Sequence, residues 1–328
     1  FAIIKPMKPR KKPVFFMIVL ALLLIPLVGP FLIPVPPLDG LLPPQALADP
    51  DSQFIQLNGL DVHVKTLGQG EPVFVLLHGF GASLYSWQAV IEPLSQRGTV
   101  IAYDRPAFGL TERPLTWEGQ NPYGSPAQVD LLIALLDHFG VEQAVLVGNS
   151  AGGTVAMQAA IQHPERVAAL ILVDPAVYTS RRTPEWIMPV LHTPQARRLG
   201  LLAVRSIQTR GPKLLNLAWD DPTQIPPESI EQYQKPLQVE NWDRALWEFT
   251  LAARPAGLED RLDQLTLPTL VITGDNDQIV PTADSIRLAG ELPSAQLVVI
   301  QNAGHVPHEE RPQEFWDAIS VFLSTIDR

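Results

Sequence analysis

The sequence predicts an α/β fold: a mostly parallel sheet covered by helices on both faces. Short runs of apolar, largely β-branched residues recur at Val73–Leu77, Val145–Val147, Ala169–Val173, Leu270–Thr273 and Leu297–Ile300. Stretches with helical spacing separate them, and four of the runs lead directly into a residue able to do chemistry. Continuous rather than alternating apolar runs belong to strands buried on both faces, which is what crossover helices produce.

Taken in order, the chain opens with Lys5, Lys8, Arg10, Lys11 and Lys12, followed by the apolar run Val14–Ile25 and uncharged sequence to Leu38. That exceeds the roughly 20 residues a helix needs to cross a bilayer. Residues 14–38 are therefore expected to be a transmembrane anchor. No basic residue follows before Lys65, whereas Asp39, Asp49 and Asp51 do, so the positive-inside bias places 1–13 in the cytoplasm and the remainder outside. The triplet Ala46-Leu47-Ala48 offers an alternative, secretion after signal cleavage, but the apolar core is longer than a signal peptide needs. Pro26, Pro30, Pro34, Pro36 and Pro37 predict an irregular outer half. Residues 39–51 read as a stiff, proline-rich linker holding the domain off the membrane.

From residue 52 the pattern becomes globular. Phe54–Leu57 and Val62–Leu67 alternate like a hairpin across Asn58-Gly59. The buried run at Val73–Leu77 ends in His78-Gly79-Phe80-Gly81, and Asp104-Arg105-Pro106-Ala107-Phe108-Gly109 follows the next strand. Ser125 to Phe139 predicts a helix with Ser125 as N-cap and Pro126 at its first position. Then come Val145-Leu146-Val147, the pentapeptide Gly148-Asn149-Ser150-Ala151-Gly152, and a helical stretch from Thr154 to Gln162. A serine between small residues on a strand-to-helix turn is what a nucleophile elbow requires, because the backbone there is strained. Ser150 is the candidate nucleophile. Its hydroxyl needs a base, and of the seven histidines His305 is best placed, in a loop after Leu297–Ile300 and beside Gly304. Candidates for the acid that orients it also follow apolar runs: Asp275 and Asp277, in Gly274-Asp275-Asn276-Asp277, and Asp174 after Ala169–Val173.

These motifs together resemble the α/β-hydrolase superfamily from about Phe54 to the C-terminus. The resemblance implies an eight-stranded sheet split as 52–175 and 261–328 around an inserted helical cap at 176–260. It also implies the order Ser150, Asp277, His305, an oxyanion hole from the backbone N–H groups of Phe80 and Ala151, and support from His78, Gly79, Gly148 and Gly152. His308 is expected to be a solvated loop residue. His63, His138, His163 and His192 read as structural, and Asp104 as a carboxylate tying down its own loop.

Four of the seven tryptophans, Trp186, Trp219, Trp242 and Trp247, fall in the cap with Phe249, and they are expected, with Asn149, to meet substrate. The cap also carries Arg181, Arg182, Arg197, Arg198, Arg205, Arg210 and Lys213 against Glu185. That segment is expected to rest on anionic headgroups and admit substrate from the bilayer.

The 328 residues are 46% hydrophobic, enough for one sizeable core plus an insertion. A net charge of −10 argues against nucleic acid. No phosphate-binding or dinucleotide fingerprint occurs, and with no cysteine there is neither thiol chemistry nor a thiolate metal site. The expectation is a cofactor-free, metal-free serine hydrolase acting on apolar carboxylic esters through an acyl-enzyme. The alternatives are an acyltransferase or a carbon–carbon bond hydrolase on the same residues, or a non-catalytic binding protein that keeps the fold.

Overall fold

A computed structural model describes residues 12–178 and 185–326, leaving the side chains at 12–14, 21, 23 and 185 undescribed. The cationic residues Lys5, Lys8, Arg10, Lys11, Arg181 and Arg182 lie outside the described residues.

The strands are β1 (Gln53–Leu57), β2 (Leu60–Leu67), β3 (Val73–Leu77), β4 (Thr99–Tyr103), β5 (Ala144–Asn149), β6 (Val167–Val173), β7 (Thr269–Gly274) and β8 (Ala295–Ile300). They form one sheet in the order β1-β2-β4-β3-β5-β6-β7-β8. β2 is antiparallel to both its neighbours, and β3 to β8 run parallel. The hairpin forms as the alternation predicts, with Leu57 opposite Leu60. The chain steps from β3 outward to β4 and returns on the other side as β5. The switch point of the sheet therefore lies between β3 and β5, where a crevice opens at the strands' carboxyl ends.

The helices are α1 (Lys12–Leu32), α2 (Gln88–Ser95), α3 (Ser125–His138), α4 (Ala151–Gln162), α5 (Met188–Leu191), α6 (Pro194–Arg205), α7 (Ile207–Ala218), α8 (Pro227–Gln234), α9 (Trp242–Ala252), α10 (Thr282–Glu291), α11 (Pro307–Glu310) and α12 (Pro312–Ile326). Helices α5 to α9 form the insertion between β6 and β7. Residues alternate between the two sheet faces: Val73, Val75 and Leu77 of β3 pack towards α3, α4 and α10, while Phe74 and Leu76 pack towards α2 and α12. Both faces are dry, so every position of β3 and β5 is buried. Ser125 is not the N-cap of α3. Gly124 is, without a side-chain cap bond, and the Ser125 hydroxyl is spent on Gln158.

Among the described residues no helix is long and apolar enough to cross a membrane. Contrary to the expected irregular outer half, α1 continues through Pro26 and Pro30 to Leu32. The cap binds carbonyls near its C-terminal end: Gln195 donates to Leu27 O at 3.2 Å, and Arg198 at 2.9 Å to Pro30 O, one of the last-turn carbonyls that have no partner inside a helix. The segment 39–51 is likewise not a free spacer. Leu42 pairs with the cap through Gln238 O at 2.8 Å and the Glu240 N–H at 3.1 Å, because its extended backbone finds open partners there.

Candidate active site

Backbone strain places Ser150. Immediately after β5 it adopts φ 52°, ψ −119°, a conformation unfavourable for a residue with a side chain. Two contacts explain its glycine neighbours. A Cβ on Gly148 would lie 2.6 Å from Gly153 N, and one on Gly152 would lie 2.1 Å from Leu77 O. The elbow is thus wedged between β3 and α4. Gly79 has the same constraint, its missing Cβ lying 3.3 Å from the Ser150 Cβ. Among the described residues the Ser150 hydroxyl has no hydrogen-bond partner, and it opens into a cavity that His305 also lines.

His305 is held on three sides. Its N–H donates to Ala218 O at 2.7 Å, and its carbonyl accepts from Asn149 Nδ2 at 3.1 Å. Its ring Nδ1 meets Asp277 Oδ2 at 2.6 Å. The other oxygen of Asp277 accepts the N–H groups of Ile279 at 2.7 Å and Val280 at 3.0 Å, so the carboxylate cannot rotate freely. Asp277 is therefore the acid that the fold brings to His305. Asp275 instead accepts the Ala303 N–H at 3.2 Å and shapes the loop. Asp174 also reaches this corner: polar atoms of Asp174, Asp277 and His305 lie within 4.8 Å of one another.

Phe80 lines the same cavity, and Ala151 opens α4 immediately after the elbow. His78 shapes the Phe80 loop and does not titrate near neutrality. Burial, and then the Arg105 charge, push it down to about 4. Its neutral ring spans Gly79 O at 2.8 Å and the Arg105 N–H at 3.0 Å. Asp104 is structural, accepting the N–H groups of Leu84 and Leu110, each at 2.7 Å, and pairing with His63 at 2.7 Å.

The cavity holds about 320 Å³ and its walls are mainly apolar, from Phe108 and Ile279 of the core and Ile207, Leu215, Leu237 and Leu246 of the cap. Of the four cap tryptophans only Trp242 lines it. Trp186 is exposed to solvent. Trp219 packs with Leu215 and Val306 behind the wall, and the Trp247 ring covers Gly200, where a Cβ would come within 2.5 Å of it. Trp219 thus binds cap to core and Trp247 cap to cap. Phe80 and Phe108 add aromatic walls to the cavity, and Phe249 packs on both with ring centroids 5.9 and 5.0 Å away. Asn149 borders the cavity, but its amide is committed to Val173 O and His305 O.

Two expectations about charge are corrected. His308 is not solvated: it is fully buried, stacked on Trp87 at 4.2 Å, with Nε2 2.9 Å from the Ser86 hydroxyl. Three of the cap arginines expected at headgroups are bonded within the chain instead, while Arg210 and Lys213 are exposed. Arg197 pairs with Glu248, Arg198 caps α1, and Arg205 bonds Asp243 at 2.8 Å. Spacing along the chain shows neither, since each partner is remote in sequence. Glu310 was also missed. It accepts the N–H groups of Gly304 at 2.7 Å and Asp220 at 2.8 Å, tying the His305 loop to the cap.

The chain is 33% identical over 77% of its length to an uncharacterised hydrolase, YugF, of Bacillus subtilis, of which the match covers 90%. It is 32% identical over 80% of its length to the whole of a pimeloyl-[acyl-carrier protein] methyl ester esterase of Aeromonas hydrophila. A solved meta-cleavage product hydrolase from Pseudomonas fluorescens superposes with a TM-score of 0.65 at 26% identity, covering 83% of this chain and 97% of that one. The α/β hydrolase fold family matches residues 72–312. With the elbow, the strand order and the inserted cap in place, the chain belongs to the α/β-hydrolase superfamily and is one of its hydrolases.

Proposed function

We propose that this chain is a membrane-anchored serine hydrolase that cleaves carboxylic esters with an apolar acyl or alcohol part. The observation that carries the reading is the His305–Asp277 pair at 2.6 Å, which shares an apolar cavity with a strained, unbonded Ser150. In the reaction the Ser150 Oγ attacks the ester carbon as its proton passes to His305 Nε2. Asp277 holds the imidazole in the tautomer that leaves Nε2 free and stabilises the imidazolium that forms. Negative charge developing on the carbonyl oxygen is met by the N–H groups of Phe80 and Ala151, each worth about 2.7–4 kcal/mol. His305 then protonates the departing alcohol. Water, activated by the same imidazole, releases the acid and restores Ser150.

The test is labelling with a fluorophosphonate, followed by p-nitrophenyl esters of rising acyl length. Wild type is expected to label, Ser150→Ala not to, and the rate to rise with acyl length. Absence of labelling in wild type would overturn the serine mechanism, and a strict short-chain preference would overturn the apolar ester. A meta-cleavage product hydrolase among the structural relatives gives a second reading, carbon–carbon bond hydrolysis on the same residues. Turnover of a ring-fission diketone faster than of any ester would select it.

The proposal includes the anchor at 14–38, with the catalytic domain outside the cytoplasm. Supporting it, α1 has 21 residues and would extend about 31 Å at 1.5 Å per residue. Its described side chains Phe15, Phe16, Leu22, Ile25 and Leu32 are exposed, and its bonds to the cap through Gln195 and Arg198 lie towards its C-terminal end. Full-length chain is expected to stay with membranes through an alkaline carbonate wash, while a chain starting at Asp51 is released. Release of both would remove the anchor.

A further inference from the structure

The acid end of this site contains one carboxyl more than the reaction above uses. Asp174 follows β6 directly at φ 44° and is fully buried. Its Oδ1 accepts the Thr273 hydroxyl at 2.6 Å. Its Oδ2 is sealed from solvent and has no hydrogen-bond partner among the described residues. Its polar atoms nonetheless lie within 4.8 Å of those of Asp277 and His305.

Two carboxyl groups this close in a water-excluded site do not both ionise, because neither can be resolvated and each repels the other. The hydrogen bonds decide which one holds the proton. Asp277 accepts three donors, the Ile279 and Val280 N–H groups and the His305 ring, an environment that favours the anion. Asp174 has the Thr273 hydroxyl, a weaker contribution from the Gly274 N–H and one orphaned oxygen, an environment that favours the acid. Burial, and after it the charge of Asp277, hold the Asp174 carboxyl well above the usual carboxylate range.

We propose that Asp174 is a positioning residue: a neutral carboxylic acid whose Oδ2–H donates to Asp277 and fixes the carboxylate that orients His305. The orphaned oxygen thereby gains its partner. Its proton stays in place throughout turnover, and only the Ser150 proton moves. The donated bond also engages part of the Asp277 charge that would otherwise face His305 alone. The inference rests on the proposed roles of Ser150, His305 and Asp277.

The test compares Asp174→Asn with Asp174→Ala. Asparagine is neutral, offers an N–H to Asp277 and keeps an acceptor for Thr273, so D174N is expected to keep kcat within about twofold, and D174A to lose about tenfold in kcat with KM unchanged. The acid limb of the kcat/KM profile is expected to hold its position in D174N and to move to higher pH in D174A. A charged Asp174 gives the opposite pattern: D174N then strips a negative charge from beside His305, the limb moves to lower pH, and kcat collapses. A D174A with unchanged kcat and profile would equally overturn the proposal. An infrared difference spectrum of wild type against D174N needs no substrate. The carbonyl stretch of a protonated carboxylic acid is expected at neutral pH, and its absence overturns the proposal even if D174A fails to fold. Loss of fluorophosphonate labelling in wild type would sink the serine mechanism while leaving the infrared result decisive for Asp174.

Discussion

Three residues apart on the chain, His305 and His308 each stand between a serine and a carboxyl group, yet the two settings differ in every property that catalysis uses. His305 has Asp277 at 2.6 Å on one nitrogen and an open cavity beyond. His308 faces the Ser86 hydroxyl at 2.9 Å, and that hydroxyl also contacts Glu309, which in turn accepts the Tyr233 hydroxyl at 2.6 Å. On hydrogen bonds alone the second set looks the better formed. But Ser86 sits on a short helical turn without strain, beside a space of about 10 Å³, room for a single water at most. His308 lies flat on Trp87, and burial, with the His305 charge adding to it, pushes it down to about 3. A base that cannot hold a proton at neutral pH cannot take one from serine. The difference teaches that a serine and a histidine in contact are common hardware, whereas a strained elbow and a substrate-sized cavity set Ser150 apart.

The largest effect that would break this contrast is on turnover. Asp277→Asn keeps the shape of the acid but removes the charge and favours the wrong imidazole tautomer, which costs about 10⁴-fold in kcat in triads of this kind. Ser86→Ala and Glu309→Gln are expected to leave kcat within about threefold, since neither group reaches the cavity's reacting end. Steady-state kinetics on the best p-nitrophenyl ester measures all three. A large loss in S86A with D277N active would exchange the roles of the two sets.

Much of the open site was legible in the sequence, and little of the closed one. Ser150 and Asp277 follow buried strands and His305 the half-exposed edge strand β8, and strand ends are written in local apolar runs that a reader can place. The glycines at 148 and 152 carry their own signal, because a side chain there would strike Gly153 N or Leu77 O. His308 looked solvated because its neighbours Glu309, Glu310 and Arg311 are charged. Its actual partners, Ser86 and Trp87, lie more than 200 positions away. The cap failed for a related reason. Tryptophan content announces burial but not against what, so Trp219 and Trp247 were assigned to substrate when they seal packing seams. Arginines that bond Asp243 or the carbonyls of α1 likewise resemble a free basic face until the chain is folded. The doubled carboxyl at Asp174 and Asp277 was visible only as a choice between two acids, whereas the fold brings both to His305.

The smaller effect concerns stability and sharpens what the closed set is for. Replacing His308 by alanine removes a fully buried ring from Trp87 and Phe315 and leaves the Ser86 hydroxyl with Glu309 alone, which is expected to cost about 3 kcal/mol at pH 7. His305→Ala, which opens onto an existing cavity, is expected to cost less than about 1 kcal/mol. Acid reverses the first difference. His308 stays neutral in the folded chain down to about 3 but takes up a proton near 6.5 when unfolded. Between those values the unfolded state binds the extra proton, so wild type loses about 1.4 kcal/mol per pH unit on this group as pH falls, and the alanine variant does not. Every other titrating group is common to both chains and cancels in the comparison. Urea unfolding at pH 7.0, 5.5 and 4.5 should therefore show the gap closing, with the two chains about equal in stability near the lowest of these. A gap that holds constant with pH would mean that His308 titrates in the folded protein, and that the pocket under Trp87 admits protons after all.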